Sequence, residues 1–149
     1  RRNHILIKKA TESDIPALAE LAIQMWDDAT LSELEEHFAE LINCDDAVCF
    51  LKYVEGNSIG FAQCQLRHDY VEGTDTSPVG YLEGIYIQKE FRHQGYAREL
   101  LHECEEWAKE KNCSEFASDC ELSNHDSLCF HMAIGFEEAN RIICFKKEL

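Results

Sequence analysis

The chain has 149 residues, 45% hydrophobic and 29% charged, with 29 acidic against 14 Lys and Arg for a formal charge of −15. That length suits one domain with a sizeable core, and that hydrophobic fraction excludes a disordered chain. The acidic balance makes nucleic acid and anionic membrane poor partners, and no apolar run approaches the roughly 20 residues that span a bilayer.

Residues 3–9 alternate apolar and polar like a first strand, unlike the apolar stretch of a signal peptide, so a cytoplasmic location is expected. Thr11, Ser13 and Asp14 ahead of Pro16 form a helix start, and Leu18, Leu21, Ala22 and Met25 carry that helix to Trp26. Asp27, Asp28 and Thr30 interrupt it. A second helix follows over Leu31–Ile42, with Leu34, Phe38, Leu41 and Ile42 on one face. Ala47–Val54 and residues 58–67 read as strands joined by a turn at Glu55, Gly56 and Asn57.

An acidic loop, residues 68–78, leads to a strand over residues 81–88. The strand is apolar enough for burial on both faces, and Gly84 inside it marks a bulge or a close backbone approach. A helix over residues 95–111 is set by Ala97, Leu100, Leu101, Cys104 and Ala108. Residues 115–120 give a further strand. A short helix opens at Ser123 or Asn124 and stops at Gly135, and residues 137–147 read as one or two final strands. With no linker or repeat, residues 1–149 are expected to form one α/β domain of α+β character, a twisted mixed sheet flanked by helices.

The eight cysteines include no C-x-x-C pair, and most lie in apolar stretches. Reduced, packed thiols are expected in place of a disulfide frame, and no metal site is expected from the His and Cys spacing.

The strand–turn–helix over residues 80–101 carries the most chemistry. The first-turn amides of a helix lack intrahelical partners and face outward at the positive end of the dipole. Gly95 lets backbone approach an anion, and Arg92, His93 and Arg98 add donors, which suits a phosphate or pyrophosphate. The run Arg92, His93, Gln94, Gly95, Tyr96, Ala97 resembles the acyl-CoA signature of the GCN5-related N-acetyltransferase (GNAT) superfamily. The run from Asn124 through Ser127 and His131 to Gly135 and Phe136 resembles that family's second motif, in the family's order and separation. Residues 70–80, 82–87 and 115–119 are similar to the aminoglycoside 6′-N-acetyltransferases within it.

That resemblance implies a single-domain GNAT fold with a mixed, mostly antiparallel sheet, acetyl-CoA as co-substrate and a cationic aminoglycoside as acceptor. It also implies a homodimer. Residues 92–98 would hold the pyrophosphate, the backbone of Ile85, Tyr86 and Ile87 would bind the pantetheine arm and polarise the thioester, and Asn124 would contact the arm from the other side. Trp26, Asp27 and Tyr70 would line the acceptor pocket. Asn140 stands where relatives carry an acid, which alters the expected acceptor contacts.

Acetyl transfer to an amine needs a proton acceptor, and two carboxylates sit on core strands: Glu83 inside one and Asp119 at the end of the next. Asp119 is the preferred base and Glu83 the residue that holds the amine, with the reverse assignment also open. The alternative for Glu83 is a salt-bridge partner, and for Asp119 a helix cap. His131 stands where the superfamily commonly has an acidic Tyr; it serves either as an acid, with an unperturbed pKa of about 6.5, or in packing. The alternatives are a polyamine or protein lysine N-acetyltransferase, and a non-catalytic acyl-CoA-binding sensor, which would need neither carboxylate.

Overall fold

The computed structural model describes residues 5–149. Five strands form one sheet in the order β1-β2-β3-β4-β5: β1 Ile5–Lys9, β2 Ala47–Val54, β3 Asn57–Arg67, β4 Val79–Ile87 and β5 Phe116–Ser118. Neighbours are antiparallel up to β4, and β5 joins β4 in parallel. Four helices pack on the sheet: α1 Ile15–Ala22, α2 Leu31–Ile42, α3 Tyr96–Glu110 and α4 His125–Ala133.

The sheet is covered on both faces, which is why β2 is almost continuously apolar. Val48 and Phe50 point into a cluster with Leu100, Leu101, Cys104 and Trp107 of α3. Cys49 and Leu51, on the alternate positions, meet Leu18 and Leu21 of α1 and Leu34 and Phe38 of α2. The β2–β3 hairpin turns through Glu55 and Gly56, both in the left-handed region.

In β4, Gln63 of β3 opposes Gly84 while Cys64 opposes Leu82, so Glu83 is an extra residue and the strand bulges there. A Cβ on Gly84 would stand 2.8 Å from the Trp26 ring, so the missing side chain lets that ring lie against the bulge.

The helix and strand boundaries expected up to Gly135 hold within a few residues, except that α1 ends at Ala22 and turns carry the chain to Trp26. Residues 3 and 4 of the expected first strand lie outside the described residues. The strands expected over residues 137–147 do not form. Alternating apolar and charged side chains suit a strand, but a ladder needs a partner strand, and among the described residues none pairs with this exposed segment. All eight cysteines are free, with Cys49, Cys64, Cys104 and Cys113 buried.

Candidate active site

β4 outruns β5. The parallel ladder ends at the Leu82–Ser118 pair, while β4 continues to Ile87. Beyond that pair residues 85–87 have β3 on one side and, among the described residues, no strand on the other, which leaves main-chain groups outside any ladder in a crevice between parallel strand ends.

After Ile87 a short 3-10 turn, Lys89–Phe91, leads through His93 and Gly95, both left-handed with φ of 65° and 86°, into α3. A Cβ at Gly95 would meet nothing within 4 Å, so it is the backbone conformation, with open space above it, that calls for glycine. The first intrahelical bond of α3 runs from Glu99 N to Gly95 O at 3.1 Å, so the N–H groups of Tyr96, Ala97 and Arg98 have no partner within the helix.

Two of the expected donors also bind the fold. Arg92 Nε donates to Ile87 O at 2.7 Å, and Arg98 Nη2 donates to Ala133 O at 2.9 Å, joining α3 to α4. Each guanidinium keeps further N–H donors. His93 and Gln94 are exposed. Under the turn lies Lys52, 2% exposed, with Nζ 2.5 Å from Glu99 Oε1 and 4.7 Å from the Tyr96 ring centre. Nothing in the sequence singles out Lys52 except that it is the one charged residue in the run of β2. Open backbone along β4, free first-turn amides and space above Gly95 fit a long, anionic, amide-containing group such as acetyl-CoA.

On the opposite face, a cavity of about 610 Å³ lies between α2 and the bulge. Trp26, Ala29 and Leu34 form its apolar wall, and Asp28, Glu33 and Glu83 bring three carboxylates to it, with His37, Gln63 and Gln65 completing the lining. His37 Nε2 lies 3.1 Å from Gln63 Oε1, and Gln63 Nε2 donates to Gln65 Oε1 at 3.2 Å, a polar row on a sheet face that is otherwise core. The Trp26 ring is fixed edge-on against Phe61 and His37 at 6.0 and 6.2 Å.

Of the expected acceptor residues, Trp26 and Glu83 are in this lining. Asp27, Tyr70, Asp119 and Asn140 are not; Tyr70 is 75% exposed, and Asn140 Nδ2 donates to Glu72 Oε2 at 2.8 Å.

Glu83 is gripped by Arg67, whose Nε lies 3.1 Å from Oε2 and whose Nη2 lies 3.0 Å from each carboxylate oxygen. The same guanidinium stacks 3.5 Å from the centre of the Tyr81 ring, and the Tyr81 hydroxyl donates to Asp119 Oδ2. Glu83 and Asp119 are thus joined through Arg67 and Tyr81. Burial, foremost, and then the Asp119 carboxylate push the Tyr81 phenol well above its ordinary pKa, so it remains a donor.

On the α3 and α4 face, His131 is bonded through both ring nitrogens, to Ser118 Oγ and Ser127 O. Asn124 caps α4, its Oδ1 accepting from Ser127 N at 3.0 Å. Among the described residues no group of three or more His, Cys, Asp or Glu is placed to hold a metal ion, and no helix is long and apolar enough to cross a membrane.

Residues 16–136 match the Acetyltransferase (GNAT) family. The aminoglycoside N(6′)-acetyltransferase type 1 of Stenotrophomonas maltophilia is 39% identical over 143 residues, covering 96% of this chain and 93% of the relative. The protein of the same name from Salmonella typhimurium is 41% identical over 128 residues, with 83% and 86% covered. Among solved structures, aminoglycoside N-acetyltransferase AAC(6′)-Iy in complex with CoA aligns with a TM-score of 0.95 at 34% identity, covering 98% of this chain and 96% of that one. AAC(6′)-Iy with the bisubstrate analogue CoA-S-monomethyl-acetylneamine aligns at 0.94 and 34% identity, covering 98% and 99%.

Proposed function

This chain belongs to the Acetyltransferase (GNAT) family, and from that premise we propose that it transfers acetyl from acetyl-CoA to the 6′-amino group of aminoglycosides, conferring resistance to them. The observation that carries the proposal is the carboxylate-lined cavity on one face, meeting at Glu83 the open edge of β4 that leads to the phosphate-type turn on the other. A polyamine sugar is drawn to such a cavity by charge, and its reacting amine arrives at the bulge.

The geometry supports one division of labour. The turn at residues 92–98 and the first-turn amides of α3 hold the pyrophosphate. The exposed edge of Ile85, Tyr86 and Ile87 binds the pantetheine arm by main-chain hydrogen bonds, with one N–H polarising the thioester carbonyl, and Asn124 flanks the arm. Asp28, Glu33 and Glu83 bind ammonium groups, and Trp26 gives the sugar a flat apolar wall. Tyr70, Asp27 and Asn140 act at the outer rim of the acceptor. Asp119 takes the amine proton while Tyr81 orients it, and Glu83 exchanges part of its Arg67 contact for the incoming ammonium. Residues 1–149 act as one catalytic domain, without a metal, as a homodimer in the cytoplasm.

The test is thiol release from acetyl-CoA with kanamycin or tobramycin, compared with gentamicin forms blocked at the 6′ position. Turnover with the first two and none with the blocked forms is expected. Turnover with spermidine or a lysine peptide and none with kanamycin overturns the substrate assignment.

A further inference from the structure

Both ring nitrogens of His131 are taken. Nδ1 lies 2.7 Å from Ser127 O and 3.3 Å from Ser127 Oγ. A carbonyl oxygen only accepts, so Nδ1 carries a hydrogen. Nε2 lies 2.8 Å from Ser118 Oγ, and that hydroxyl also reaches Leu82 O at 3.2 Å. The imidazole therefore meets the crevice only through Ser118. Ser118 is the last residue of β5, in register with Leu82 where the strands part. Its hydroxyl faces α4, on the sheet face that carries the phosphate-type turn, so a thioester reaching the fork from that turn brings its sulfur to this side.

We propose that Ser118 is a further catalytic residue, its hydroxyl passing a proton from His131 to the departing CoA thiolate. This rests on the acetyl-transfer reading of the site. As the C–N bond of the amide forms and the thioester C–S bond breaks, sulfur keeps the electron pair. Sulfur takes the Oγ hydrogen of Ser118, and Oγ takes the Nε2 hydrogen of the His131 imidazolium. Water reprotonates His131, and the proton lost by the amine leaves through Asp119.

Hydrogen-bond satisfaction supports the charged ring as donor. With both nitrogens protonated, Nδ1–H binds Ser127 O, Nε2–H binds Ser118 Oγ and the Ser118 hydroxyl binds Leu82 O, so all three contacts are made. With a neutral ring, the single Ser118 hydrogen must serve either Nε2 or Leu82 O, and one contact is lost. Phe130 and Phe136 flank the ring at 5.7 and 5.2 Å between centroids. Charged and titratable groups on the surrounding elements include Arg98, which α3 sends to Ala133 O, Asp119 and Glu83 beside the Ser118–Leu82 pair, and His125, Asp126 and Cys129 on α4 itself.

The experiment follows single-turnover thiol release across pH for the wild type, Ser118→Ala, Ser118→Thr and His131→Gln, with acetyl-CoA affinity measured separately. Ser118→Ala should slow release on the order of a hundredfold at unchanged acetyl-CoA affinity and lose the decline of rate at high pH. Ser118→Thr, which keeps the hydroxyl, should retain the rate and the decline, and His131→Gln should match Ser118→Ala. Release by Ser118→Ala within about twofold of wild type overturns the relay. So do equal losses in the Ala and Thr variants with the wild-type pH profile kept, which would mark a packing role. A wild type that acetylates spermidine and not kanamycin refutes the aminoglycoside reading alone, and the same four proteins then test the relay with spermidine.

Discussion

Glu83 and Asp119 are each occupied, one by a guanidinium and the other by a phenol, and this shapes what their loss should do. Asp119→Asn should lower kcat/KM for an aminoglycoside by roughly a hundredfold or more while leaving acetyl-CoA binding nearly intact, since the cofactor contacts lie in backbone and turn. Its residual activity should climb with pH, as more of the amine is neutral in solution. Glu83→Gln should weaken acceptor binding as well as turnover, because its charge pairs with the ammonium. Calorimetric titration of acetyl-CoA beside initial-rate kinetics separates the two effects, and a doubly substituted enzyme running at the wild-type rate near neutral pH would show that the proton leaves elsewhere. Glu83 was legible because an ionisable residue between Leu82 and Gly84 is awkward inside a strand. Its partner Arg67 was not, since only the β3–β4 register brings the two together. Asp28, Glu33 and His37 were hidden for another reason: acidic and polar residues around a helix start look like caps and a solvated face.

At the scale of elements, α2 illustrates how a local signal serves two ends. Thr30 Oγ1 accepts from Glu33 N at 3.1 Å, and Glu33 Oε1 accepts from Thr30 N at 2.9 Å, a reciprocal cap. Glu33 also lines the acceptor cavity. Thr30→Ala should cost about 1 kcal/mol, read as a lower urea midpoint at unchanged slope. Most elements were legible for the reason this one was: caps, turn glycines and apolar periodicity agree with the fold that forms. Residues 137–147 show where such signals stop. Ile142, Ile143 and Phe145 have strand-like composition yet stand largely exposed, because β-propensity describes fitness for a neighbour and supplies none.

Over the whole molecule, the cysteines divide by position. Burial, with the neighbouring Cys64, pushes the Cys49 thiol up to about 12; a hydrogen bond to Cys64 and then burial raise Cys104 as well. Such thiols stay protonated and inert near neutral pH. Native protein should therefore react quickly with a thiol reagent at the four exposed positions, Cys44, Cys120, Cys129 and Cys144, and denatured protein at all eight. A denatured count of four or fewer in fresh protein would overturn the reduced state. The charge of −15 was legible from composition, but its concentration as three carboxylates around one cavity needed the hairpin and α2 to be folded first.

The extra residue at position 83 also works as a phase switch. Ahead of it the even positions, Gly80 and Leu82, face α3; after it the odd ones, Ile85 and Ile87, do, while Tyr86 turns toward Trp26. A strand of the same residues without the irregularity would drive Tyr86 under α3 and turn both isoleucines to the face covered by α1 and α2. The spacing between Gly80 and Ile87 is thus a constraint in its own right, separate from the identity of any residue within it. Shuffling this segment with that of a relative preserves both the faces and the bulge when the residue count is kept; losing one residue would close the bulge, leaving the faces in phase but removing the irregularity at the point where both substrates meet.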